Sequence, residues 1–178
     1  MMRVANIGDL RFDISNRANA PAFTIAEAVV STVIVALMFV AALNAVGASK
    51  LTQRQAALTS QGRLLADLLL SEILQQNYKD PGGAPVFGCE PGESTGTRAD
   101  FDDVDDYNGW TASPPTAKDG TVLANSTGWR QTVTVEWIDR LNPSQVLTSE
   151  SNAKRITVAL SYKNVPQVTL VAIRTASQ

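Results

Sequence analysis

APAFTIAEAVVSTVIVALMFVAALNAVGASK, residues 20–50, carries a single acid, Glu27, and then no charge from Ala28 to Ser49. As a helix rising about 1.5 Å per residue, this uncharged run of about 22 residues measures roughly 33 Å, enough to cross the hydrocarbon core of a bilayer. A lone acid at the mouth of such a helix needs a reason. An ionised side chain costs roughly 2.5 to 3.5 kcal/mol at mid-membrane, so intramembrane acids usually serve a function and have a cationic partner. The stretch therefore predicts an apolar helix that opens on one carboxylate in need of a cation.

Upstream, residues 1–22 are polar, with Arg3, Arg11 and Arg17 set against Asp9 and Asp13, and they end in the small-residue run Asn19, Ala20, Pro21, Ala22. A secretory signal has a shorter apolar core than this one and is cut after it; the small residues at Ala45 to Ser49 would offer such a cut near Ala48. The three leader arginines outweigh Lys50 and Arg54 beyond the span, which places the N-terminus in the cytoplasm.

The 178-residue chain has room for one anchor and one small folded domain. Its 15 basic and 17 acidic residues provide no basic excess, so nucleic acid is not an expected partner. Histidine is absent, which removes Ser-His-Asp and Cys-His catalysis and His-ligated metals. The single cysteine, Cys89, can form no intrachain disulfide. Carboxylates, lysines and tyrosines remain as acid/base groups, but a paired-carboxylate hydrolase needs a cleft with opposed environments, and nothing in the sequence points to one.

Ala22, Phe23, Thr24, Ile25, Ala26 and Glu27, followed by the apolar run, resemble the processing site of type IV prepilins and type II secretion pseudopilins. The resemblance covers roughly residues 15–78 and implies several things. A prepilin peptidase would cut between Ala22 and Phe23 and methylate the new amine, leaving Glu27 as the fifth mature residue. Ala22 stands where the family usually has glycine, and Asn44 lies where many major pilins have a helix proline. In the family's filament the glutamate of one subunit pairs with the N-terminal amine of its neighbour. Here that pair would be Glu27 and Phe23, and it supplies the missing cation. A carboxylate and an ammonium about 4 Å apart attract by roughly 4 kcal/mol at an effective dielectric near 20, comparable to the insertion cost. The alternative is that Glu27 only favours its own helix N-terminus, worth about 0.3 to 1 kcal/mol.

The helical spacing continues through Leu51, Leu58, Leu64, Leu65, Leu68, Leu69 and Ile73 and is expected to end near Tyr78 at Asp80, Pro81, Gly82 and Gly83. These leucines are expected to lie on a soluble domain. Residues 84–128 show little periodicity and read as a long surface connection. It contains the Asp-rich loop 98–110, where Asp100, Asp102, Asp103, Asp105 and Asp106 crowd together. Like charges at this density should be solvated or neutralised by Arg98, Lys118 or a bound cation. Asp102, Asp103, Asp105 and Asp106 are candidate calcium ligands, although the run fails as an EF-hand loop, with Val104 at position one and Pro115 at position twelve. FDDVDDYNGW also resembles a segment of minor pilins of the mannose-sensitive haemagglutinin system.

Strict alternation predicts strands over Gln131–Asp139, Ile156–Lys163 and Val168–Arg174. Trp129 and Trp137 are expected to pack in the core or at its edge. The fold expected is α+β, a long N-terminal helix on a small antiparallel sheet, as in pilins. It divides into a leader (1–22), a membrane or filament-core half-helix (23–49), an amphipathic half-helix (50–79) and a periplasmic β domain (80–178). The resemblance implies a non-enzymatic minor pilin or pseudopilin of the bacterial inner membrane. Its partners would be prepilin peptidase, related subunits and an inner-membrane assembly platform. The competing reading is a membrane-anchored periplasmic binding or adhesion module with a calcium-binding loop.

Overall fold

The computed structural model describes residues 23–82, 86–93 and 96–176. The leader and Ala22 lie outside them. The chain divides into two compact units, Met1–Lys50 and Leu51–Gln178.

Helix α1 runs Ile25–Leu74. In the first unit its residues are exposed on every side, including Val29, Ile34, Leu37, Phe39 and Leu43. By length and composition α1 is long and apolar enough to cross a membrane. A helix apolar all round has no face suited to water.

In the second unit, α1 is packed on a four-stranded antiparallel sheet in the order β1 (Thr111–Ala112), β2 (Trp129–Trp137), β3 (Ala153–Tyr162) and β4 (Val165–Thr175). The fold is α+β. Neighbouring inward positions match across the ladder: Val133 faces Val158 and Val135 faces Ile156. Val158 in turn faces Leu170. The buried helix face consists of Gly62, Leu65, Ala66, Leu69 and Ile73, at helical spacing. Together with Trp129, Val133, Val135, Ile156, Val158 and Leu160 it makes the core.

The expected leucine stripe is only partly buried. Leu65, Leu69 and Ile73 are inside, whereas Leu51, Leu64 and Leu68 are exposed. About 100° of rotation per residue carries Leu64 and Leu68 off the face defined by Leu65 and Leu69. The helix also stops before Tyr78. Gln75 and Gln76 donate to Glu72 and Ile73 in tightened final turns. Asn77 then pairs with Asp102 and Val104, so the acidic loop captures the chain before the Pro-Gly segment is reached.

The connection before β2 is not merely a surface loop. Phe101, Val104 and Tyr107 are buried, and Asp105–Tyr107 forms a 3-10 turn, η1. Phe101 meets Tyr107 and Trp110 edge-on. Trp129 is in the core as expected, and Trp137 is half-buried against Phe87.

Candidate functional site

Two groups of residues carry chemistry, one in each unit. At the helix mouth, Thr24 caps α1. Its Oγ1 accepts the Glu27 N–H at 3.2 Å, and its carbonyl accepts the Ala28 N–H at 3.1 Å. Thr24-Ile25-Ala26-Glu27 has the spacing of a capping box, a signal legible in the sequence that the reading above did not use. Phe23 and Glu27 are both exposed. Glu27 in the first turn lies where the partial positive charge of the helix favours an acid. Among the described residues its carboxylate has no ion-pair partner.

In the second unit, the acidic loop is built around buried charge. Arg98, about 1% exposed, grips Glu72 through two bonds, Nε to Oε1 at 2.8 Å and Nη2 to Oε2 at 3.0 Å. The guanidinium also donates to the carbonyl and hydroxyl of Thr116 and lies 5.0 Å from the Trp110 ring centroid. Tyr107 adds its hydroxyl to Glu72 Oε1 at 3.0 Å. Burial, and then the Glu72 charge, push the Tyr107 phenol above its ordinary range. A fork-on-carboxylate pair whose guanidinium makes further hydrogen bonds is the geometry in which a buried ion pair holds two segments in register. Here the segments are α1 and the start of the loop.

The expectation that Arg98 neutralises the aspartates is corrected, and Lys118 offsets the charge of Asp102 alone. Arg98 is taken by Glu72, and Lys118 Nζ donates to the Phe101 carbonyl. The neutralising cation is Lys154 of β3, buried, which donates to Asp105 Oδ1 and to the carbonyl of Tyr78. Its ammonium lies 4.5 Å from the Tyr78 ring centroid. Lys154 shares the alternation phase of Ile156, Val158 and Leu160, and that phase was the available signal for an inward-facing cation.

The solvated reading of the loop is overturned as well, because Asp103, Asp105 and Asp106 are buried. Their carboxylates are partly spent on the loop's own backbone. Asp103 Oδ1 accepts the N–H groups of Asp105 and Asp106, and Asp106 Oδ2 accepts those of Asp102 and Asp103. Asp105 Oδ2 accepts the Gly88 N–H. Burial, the hydrogen bond to Asp105 and the neighbouring acids push Asp103 up to about 8. Of the four candidate ligands, Asp103 and Asp105 are thus engaged inside the protein, while Asp102 and Asp106 each retain one buried oxygen without a hydrogen-bond partner.

Three acids that the sequence reading did not single out adjoin this turn. Glu90 has both carboxylate oxygens buried without a partner. Glu93 Oε2 accepts the Glu90 N–H at 2.8 Å, and one oxygen each of Glu93 and Asp106 lies within 4.8 Å of the other and of Cys89 Sγ. Asp80 Oδ1 accepts the Gly82 N–H. Burial and the mutual repulsion of these carboxylates raise Glu90 and Asp102 and push Glu93 up to about 7.

No protein-family model, curated protein or solved structure matches this chain.

Proposed function

We propose that the chain is a non-catalytic structural subunit, a minor pilin or pseudopilin, cut between Ala22 and Phe23 by a prepilin peptidase and assembled through its N-terminal helix. The observation that carries this reading is the first half of α1, apolar and exposed on every side, with one acid in its first turn four residues after Phe23. Such a helix requires two environments in succession: lipid before assembly and neighbouring apolar helices afterwards. Both solvate the same surface. The carboxylate of Glu27 and the amine that processing would create on Phe23 give the transfer between them a register, because each neutralises a charge that would otherwise be buried alone.

In this reading the protein resides in the inner membrane, N-terminus in the cytoplasm and folded domain in the periplasm, until an assembly platform draws it into a filament of related subunits. Replacing Glu27 by Ala tests the assembly step. The expected result is normal membrane insertion with loss of incorporation into filaments. Normal incorporation would remove Glu27 from the assembly step, and absence of the unaltered chain from filaments would favour a membrane-anchored periplasmic binding module.

A further inference from the structure

We propose that the end of the second unit at which the chain enters it, built from the start of its helix and the β3–β4 turn, docks on the anionic phospholipid headgroups of the bilayer. Arg54 and Lys163 hold lipid phosphate, and Leu51 and Val165 lie against the glycerol and first acyl carbons. The proposal rests on the reading of the first half of α1 as a bilayer span. It is independent of processing and of assembly into a filament.

Charge selects the partner. No acid occurs in residues 51–66, 120–135 or 151–178, the segments that supply this end. Arg54, Arg130 and Lys163 are exposed there, and among the described residues none of the three forms an ion pair. The second unit begins at Leu51, two residues after the uncharged run ends at Ser49. A chain anchored by that run therefore brings its first helical turn beyond it to the headgroup layer, where an anionic surface attracts basic residues lying within a Debye length. The β3–β4 turn comes with it, because Gln55 Nε2 donates to Gln167 Oε1 at 3.0 Å.

The surface between helix and turn has the matching shape. An open groove of about 570 Å³ is lined by Leu51, Arg54, Leu58, Tyr162, Lys163 and Val165, among others. Leu51 is 72% exposed and Val165 57%. Exposed apolar side chains beside an aromatic ring and unpaired cations are the composition of segments that lie in a membrane interface. The turn itself adds a second observation. Lys163 and Asn164 form a two-residue turn between the paired Tyr162 and Val165, with φ of 50° and 66°. Glycine or asparagine suits both positions of such a turn, and lysine does not. Lys163 is nevertheless fixed there, its N–H donating to the Gly128 carbonyl at 2.8 Å and its ammonium 5.6 Å from the Tyr162 ring centroid. The backbone cost places a cation at the tip of the hairpin, beside the groove.

The test attaches a fluorophore at Val165→Cys in the full chain carrying Cys89→Ser, reconstituted in phosphatidylcholine vesicles with or without phosphatidylglycerol. Quenching by a nitroxide on the lipid headgroup reports contact. At least about twofold more quenching is expected in the anionic vesicles, and the difference should vanish near 1 M salt, where the Debye length is about 3 Å. Arg54→Gln combined with Lys163→Asn should abolish it. Both sites are exposed and asparagine suits the left-handed backbone at 163, so this variant should fold. A label at Leu141→Cys, 98% exposed beyond the opposite end of β2, should show no such difference. A label at Leu37→Cys, read with a nitroxide on the acyl chain, reports the span itself, and no quenching there would overturn the membrane reading and this proposal with it. With Leu37→Cys quenched, three results would each overturn the docking alone: equal quenching at position 165 in both lipids, an equal rise at position 141, or a difference that the double variant retains. So would binding of a short DNA duplex by the detergent-solubilised chain, lost in the double variant, without headgroup contact in vesicles.

Discussion

Gly62 of α1 lies under the indole of Trp129: a Cβ on it would stand 2.8 Å from ring atoms Cη2 and Cζ3 and 3.3 Å from a methyl of Val168. Glycine inside a helix costs about 1 kcal/mol relative to alanine, so its presence there reflects the close approach of helix and sheet. Gly62→Ala would gain that propensity but overpack the core, at a typical cost of about 1 to 3 kcal/mol. A net loss of stability is expected in chemical denaturation, partly recovered when Trp129 is also shortened to Phe.

The grip of Arg98 on Glu72 makes a second prediction. Truncation of Arg98 to Ala leaves Glu72, about 20% exposed at its side chain, with the Tyr107 hydroxyl in place of a guanidinium. Breaking a buried pair from one side costs about 3 to 5 kcal/mol, largely the cost of the stranded charge. Glu72→Gln in the same background should restore part of the loss. A double-mutant cycle that finds the two changes additive would show that the residues are not coupled.

Asp103 gives the domain a pH dependence. Its carboxyl, pushed up to about 8 by burial and its acidic neighbours, holds a proton more tightly in the folded state than in the unfolded chain, where aspartate titrates near 3.9. Its contribution to stability is therefore full below about pH 4 and is lost as pH rises through about 8, with a slope of at most about 1.4 kcal/mol per pH unit. Denaturation midpoints at pH 5 should exceed those at pH 8. Asp103→Asn keeps an oxygen for the two backbone N–H groups and should flatten the profile.

Much of this architecture was legible in the sequence wherever a period repeats. The alternation around Val133, Val135, Val158 and Leu160 marked the central strands, and the absence of charge from Ala28 to Ser49 marked the exposed apolar helix. The helix stripe was legible only in part, because a run of adjacent leucines does not say which of them face inward; Gly62 and Ala66 complete the face, and Leu64 and Leu68 do not belong to it. The stretch 84–128 has no period, and its order comes from partners distant in sequence. Arg98 finds Glu72 across 26 residues and Lys154 finds Asp105 across 49. A dense run of aspartates reads as solvated until those partners are known. Glu93 follows Pro91 and Gly92, which look like turn residues, and only the fold brings its carboxylate beside Asp106.

In the proposed function, processing creates the helix mouth and the mouth serves assembly. Mass spectrometry of the mature N-terminus, on protein extracted from membranes of cells carrying a prepilin peptidase, tests it most directly. The expected result is a chain that begins at Phe23 with a methylated α-amine. A mature chain beginning at Met1, or at Lys50 after cleavage beyond the apolar run, would contradict it.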